Sequence, residues 1–182
     1  MGNENLHPYV KLARLAATRF LSGNSAIPDG HEIDPDESVW DARRACFVSI
    51  KTTDGKLRGC IGTILPSYPS LDREIAANAV AAAARDPRFP PMTSDELEGV
   101  TFSVDVLTKP EPAPDTSGLD PKVWGVIVTK GFQRGVLLPD LEGVDTVRKQ
   151  LEIAAGKAGI FDMSGVKIER FRVERYKETA ED

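Results

Sequence analysis

The chain has 182 residues, 41% hydrophobic and 28% charged, with 23 basic and 28 acidic side chains for a net charge of −5. Those proportions suit one compact domain or two small lobes, fall in the globular rather than the disordered range, and offer no dense basic face for nucleic acid. No run approaches the roughly 20 apolar residues of a membrane span, Met1 to Asn5 lack the pattern of a secretory leader, and two cysteines are too few for a disulfide framework, so a cytoplasmic protein is expected.

Pro8 to Leu21 reads as a helix, with Tyr9, Leu12, Ala13, Ala16 and Phe20 at helical spacing and Pro8 suited to the first turn. Gly2 is no myristoylation site, because Leu6 stands where that motif wants Ser or Thr. Ser22 to Ser38, rich in Gly, Pro and carboxylates, reads as a surface loop. Ala45 to Thr52 and Lys56 to Thr63 look like two strands joined at Asp54-Gly55, a hairpin signal. The clearest helix runs from Ser70 to Arg85 with Ile75, Ala76, Ala79, Val80 and Ala83 as its stripe, and Asp86-Pro87 stops it. Thr93 and Glu96 fit a capping box.

Val100, Phe102, Val104 and Val106 alternate with polar residues as in a half-buried strand, which places Asp105 on the exposed side. Lys109 to Pro121 is too proline-rich for a regular element and reads as a linker or ordered crossing. A second hairpin is expected over Lys122 to Lys130 and Gly135 to Leu138, turning at Gly131 to Arg134. Asp145 to Ala158 is a helix ended by Gly159, and Val166 to Lys177 a last strand whose apolar phase changes midway. Hairpins with helices between them, without regular βαβ alternation, predict an α+β fold with an antiparallel or mixed sheet and flanking helices.

The segment Leu57-Arg58-Gly59-Cys60-Ile61-Gly62 carries the chemistry. With Asp54-Gly55 as a two-residue turn, Thr53 pairs with Lys56, Cys60 lies opposite Ser49, and Cys46 lies opposite Thr63, so the thiols are not disulfide partners. Strand alternation then puts Cys46, Val48, Ile50, Leu57, Gly59 and Ile61 on the core face. Phe47, Ser49, Arg58, Cys60 and Gly62 share the other face, where a guanidinium beside a thiol would favour the thiolate. Gly59 and Gly62 either permit unusual backbone angles or leave room near Cys60. Cys60 is thus a small buried hydrophobe in a bulge, or a reactive or ligand-contacting thiol. His7 and His31 lie in peripheral segments, which gives a Cys-His pair little support, and no His/Cys cluster predicts a structural metal. No cofactor is expected. Asp86 and Arg88 form either a surface ion pair or an anion-binding fork, and Asn78, close to the helix stripe, needs backbone or ligand partners if buried.

These residues resemble the AMMECR family, whose hexapeptide Leu-Arg-Gly-Cys-Ile-Gly is reproduced by Leu57 to Gly62. Asp86-Pro87-Arg88-Phe89, Val104 to Leu107 followed by Pro110-Glu111-Pro112, and Gly135 to Pro139 ahead of Lys157-Ala158-Gly159 extend the likeness in order along nearly the whole chain. Asp140 stands where the family leads one to expect Gln. The resemblance implies one AMMECR domain over 1–182, folded as two unequal lobes with the hexapeptide bordering the cleft between them. It implies roles for Arg58, Gly59, Cys60 and Gly62, and partners in a Memo-like protein and a radical S-adenosylmethionine (SAM) enzyme. Three readings stay open: a binding component of such a system, an enzyme using Cys60 on a small anionic substrate with Arg58 and Arg88 orienting it, and a purely structural hexapeptide that fixes the junction of the lobes.

Overall fold

A computed structural model describes residues 6–24, 27–34 and 38–178. The expectations for Met1 to Asn5 and for parts of the Ser22–Ser38 loop lie outside them. The element order is α1 (Pro8–Leu21), β1 (Cys46–Thr52), β2 (Leu57–Gly62), α2 (Leu71–Ala84), β3 (Val100–Leu107), β4 (Glu111–Pro112), β5 (Gly125–Lys130), β6 (Gln133–Leu137), α3 (Val147–Lys157), β7 (Lys167–Phe171) and β8 (Val173–Lys177). The strands form two antiparallel four-stranded sheets, ordered β2-β1-β3-β8 and β4-β7-β5-β6. The fold is therefore α+β, as the hairpins imply. The chain divides into two compact units, one up to Val106 and rejoined from Arg175, the other Leu107–Glu174.

In the first unit α2 packs against α1, β1 and β2. A helix covered on several sides must bury polar positions too, and α2 buries Asp72, Glu74 and Asn78 beside Leu71 and Ile75. Glu74 is satisfied by the backbone N–H groups of Ser67 and Tyr68, both at 2.8 Å, and by the Thr63 hydroxyl. Trp40, Phe102, Leu12, Ile50 and Ile75 form the heart of this core. Phe20, the last residue of the expected α1 stripe, is instead exposed.

The β1–β2 register departs from a two-residue turn. Thr52 and Lys56 close the hairpin, Gly55 adopts φ +85°, and Lys51 pairs with Leu57. The loop is thus three residues long, Thr53 to Gly55, with glycine in the left-handed position. One residue further the register shifts, so that Ile50 pairs with Gly59 and Ser49 with Cys60. Arg58 is the extra residue of a β-bulge. The bulge restores the expected pairing of Cys60 but turns Leu57 off the core face, leaving it 38% exposed.

The second unit closes its hairpin across Gly131-Phe132, with Lys130 opposite Gln133, rather than across Gly131 to Arg134. The expected linker contributes the short strand β4, and the expected last strand breaks at Arg172 into β7 and β8, one in each sheet. The apolar phase change expected between Ile168 and Phe171 lies inside β7, just ahead of that break.

Asp105 corrects another expectation. Alternation does place it on the face opposite Val104, but the carboxylate is buried, held by two hydrogen bonds from Arg175 at 2.7 and 3.0 Å. Nothing local in β3 announces a partner 70 residues downstream. Among the described residues no helix is long and apolar enough to cross a membrane.

Candidate functional site

β2 is the edge strand of its sheet, so in the paired ladder its outward N–H and C=O groups have no strand neighbour. At Cys60 both are nevertheless engaged. Its N–H donates to Asp86 Oδ2 at 2.8 Å, and Arg88 Nη2 donates to its carbonyl at 3.2 Å. Asp86 and Arg88 are joined by Nε–Oδ1 and Nη2–Oδ2 bonds of 2.9 and 2.7 Å, and the Arg88 backbone N–H adds a third donor. The pair acts as a substitute strand one residue long. It is neither a loose surface ion pair nor an open anion fork, because Asp86 is buried and Arg88 folds back onto β2. Arg88 beside it, with the Cys60 and Arg88 amides, holds the Asp86 carboxyl well below its ordinary range against the opposing effect of burial.

Arg58 is fixed in a similar way. The bulge directs its guanidinium to Glu96, with bonds of 2.7 and 3.1 Å, and to the Pro90 carbonyl at 3.0 Å. Glu96 also closes the capping box with Thr93, so that expected box anchors Arg58. Arg58, and then Thr93, hold the Glu96 carboxyl below its ordinary value. Phe89 has a guanidinium on either hand, with Arg88 5.5 Å and Arg58 6.0 Å from its ring centroid. Arg58 is therefore committed to a carboxylate.

The glycines answer to packing. A Cβ on Gly59 would sit inside van der Waals contact with the Ala82 carbonyl oxygen, its carbon 3.0 Å away. One on Gly62 would strike the Phe47 ring and stand 2.6 Å from the Phe47 Cα. Gly59 lets α2 approach the sheet, and Gly62 lets Phe47 lie across β2. Neither has a positive φ.

Cys60 is half-buried, and the Ser49 hydroxyl donates to its Sγ at 3.2 Å. Across the sheet Ser49 faces Ser103, so a row of small polar groups crosses β2, β1 and β3. Cys46 lies on the other face, where burial pushes its thiol up to about 12, and Asn78 Nδ2 donates to its carbonyl at 3.0 Å. The two histidines sit elsewhere, His7 against Tyr9 and Tyr176 and His31 3.6 Å from Asp41. Arg58, Gly59, Cys60, Gly62, Asp86 and Arg88 are thus drawn together. Asn78 belongs to the opposite side of the sheet. Glu96 and Phe89 are the members that hexapeptide reasoning missed, although the capping box and the Asp-Pro-Arg-Phe string each gave a signal.

The AMMECR1 family profile matches residues 10–179. A protein of Thermotoga maritima is 53% identical over 176 residues, covering 94% of this chain and 98% of its own length. A Clostridium acetobutylicum protein is 50% identical over 175 residues, which are 36% of its length. The crystal structure of an uncharacterized protein from Pyrococcus horikoshii is similar with a TM-score of 0.80 and 29% identity, covering 93% of this chain and 89% of that one.

Proposed function

The chain belongs to the AMMECR1 family, and on that footing we propose that it is a non-catalytic binding component that docks a Memo-like protein and a radical SAM enzyme through the surface around Leu57–Gly62. The observation that carries this is how the polar groups around Cys60 are engaged. Asp86 and Arg88 cap the edge strand, Arg58 is held by Glu96, and Ser49 donates to the sulfur, with Arg88 a lesser side-chain partner. A nucleophilic thiol needs a base, and no described His, Asp or Glu side chain is bonded to the sulfur; Arg88, which also reaches the thiol, is held chiefly by Asp86. What remains outward is a recognition surface: exposed Leu57, the Arg58–Phe89–Arg88 group and the half-buried Cys60 sulfur. The Clostridium relative, with this domain as about a third of a longer chain, supports a module that works beside other domains. A cytoplasmic setting and a single domain spanning the chain belong to the same proposal.

Calorimetric titration of the purified chain against the Memo-like protein and the radical enzyme of the same genome tests it. Leu57→Asp should weaken binding by about tenfold or more, as at a buried anchor, while Cys60→Ser stays close to wild type. Absence of binding to both overturns the reading. The competing enzyme reading rests on the partial exposure of Cys60. Site-mapped alkylation from pH 5 to 10 would support it if Cys60 reacted fast with a depressed apparent pKa.

A further inference from the structure

On the far side of the first sheet, α1 and α2 enclose a cavity of about 450 Å³ that the hexapeptide does not touch. Its walls are Ala16 and Phe20 of α1, Ala77, Val80 and Ala81 of α2, and Ile27. Ala77 and Ala81 are one turn apart, and two alanines where larger residues would interlock leave the hollow. Volume and apolar lining fall in the range of small-molecule sites.

Two polar features give it chemistry. Asn78 lines the cavity and is only 4% exposed; its Nδ2 is taken by Cys46, while its Oδ1 accepts no hydrogen bond from any described residue. The residue is buried, but this oxygen is not sealed from solvent, so a donor entering the cavity can reach it. Arg85 also lines the cavity, one turn beyond Ala81 at the end of α2. It is exposed, and no described carboxylate engages its guanidinium. From Asn78 to Arg85 the helix rises about 10 Å.

We propose that this cavity binds an elongated monocarboxylate with an apolar body and a terminal hydroxyl. The carboxylate meets Arg85, the body lies along Ala77 and Ala81, and the hydroxyl donates to Asn78 Oδ1. Charge complementarity selects the anionic end, since an unpaired guanidinium at the mouth favours a carboxylate over a neutral group. The proposal is independent of the docking surface around Leu57.

The test is an amide-resolved NMR titration of the full chain with 3-(4-hydroxyphenyl)propionate, against 3-phenylpropionate and 4-ethylphenol. The expected result is saturable shifts at α1, α2 and Tyr68. Losing the carboxylate should weaken binding by about tenfold and losing the hydroxyl by several-fold. Arg85→Gln should erase the preference for the acid over 4-ethylphenol, and Ala77→Leu, which fills the hollow, should abolish binding. Arg85 is exposed, so its variant keeps the test decisive if Ala77→Leu fails to fold. Lack of saturation at about 10 mM probe, equal affinity for the acid and 4-ethylphenol, or wild-type binding by Arg85→Gln would each overturn the proposal.

Discussion

Gly59→Ala tests the packing of the hexapeptide most directly. The new methyl would meet the Ala82 carbonyl, whose carbon stands 3.0 Å from the ideal Cβ position with its oxygen nearer. Carbon atoms in contact normally lie about 3.5–4.0 Å apart, so β2 and α2 must separate by at least about 0.5–1 Å. The obstacle is helix backbone, which no rotamer change relieves. Overpacking of this kind costs about 1–3 kcal/mol; the direct backbone clash puts Gly59→Ala toward the upper end. Reduced freedom of the unfolded chain returns about 0.4–1 kcal/mol. The expected net loss is about 2 kcal/mol, or roughly 4–8 °C in melting temperature for a chain of this size. Denaturant unfolding should follow Trp40, buried in the same unit, in a Trp124→Phe background that silences the other indole. Gly55 is the control. It has no atom within 4 Å of an added Cβ but a φ of +85°, so Gly55→Asn, which tolerates that conformation, should unfold close to wild type while Gly59→Asn should not. A Gly59→Ala protein within about 0.5 kcal/mol of wild type would refute the crowding argument.

Asp86→Asn exchanges an acceptor for a group that must present an amide donor to either the Cys60 N–H or Arg88, and should cost about 2 kcal/mol. The Asp86 carboxyl is held below its ordinary value of 3.8, so its contribution is present above that pH and lost as pH falls toward the folded value. Wild type should lose this increment on acidification and the variant should not, as read from unfolding midpoints between about pH 5 and 2. Cys46 runs the other way: with its thiol pushed from 9.0 to about 12, the folded state keeps a proton that the unfolded chain releases. Stability should therefore fall above pH 9 by up to about 1.4 kcal/mol per pH unit, and Cys46→Ala should flatten that limb. In native protein at pH 8, mass-mapped alkylation should mark Cys60 well before Cys46; equal rates would contradict the burial of Cys46 on the core face. Asp105→Ala removes two hydrogen bonds from Arg175, whose charge can still reach water, and should cost about 1–3 kcal/mol, measured by the same Trp40 unfolding assay.

The helices were legible because their apolar spacing and stop signals are local. The register at Cys60 was legible for a subtler reason. A three-residue loop moves the pairing by one and the bulge at Arg58 moves it back, so the expected Ser49–Cys60 pair forms while Leu57 beside it does not keep its face. Asp-Gly fits either loop length, and nothing in the composition of β2 marks Arg58 as the extra residue. Asp105 shows a second limit. Alternation assigns a face but not what covers it, and the cover comes from Arg175. The Asp86–Arg88 cap was visible as a motif, but its target is main chain. Finding that target requires knowing that β2 is an edge strand, a property of the whole sheet order. Phe20 fails for a related reason: helical spacing puts it on the stripe, while its neighbours across the gap are the small Ala77 and Ala81.

The hexapeptide can be taken position by position. Arg58 bridges the strand to Glu96 and Pro90, Gly59 admits α2, Ile61 packs on the core, and Gly62 admits Phe47. The backbone of Cys60 holds the Asp86–Arg88 cap. These demands account for four side-chain positions and one stretch of main chain, and they would be met equally with Ser or Ala at position 60 and a polar residue at position 57. The packing makes least use of the Cys60 sulfur, which accepts from Ser49 and lies beside Arg88, and of the Leu57 side chain, which faces water. A bulged edge strand fixed at this many points presents those two groups in one defined geometry. They are the two groups on which the proposed recognition of a partner would rest.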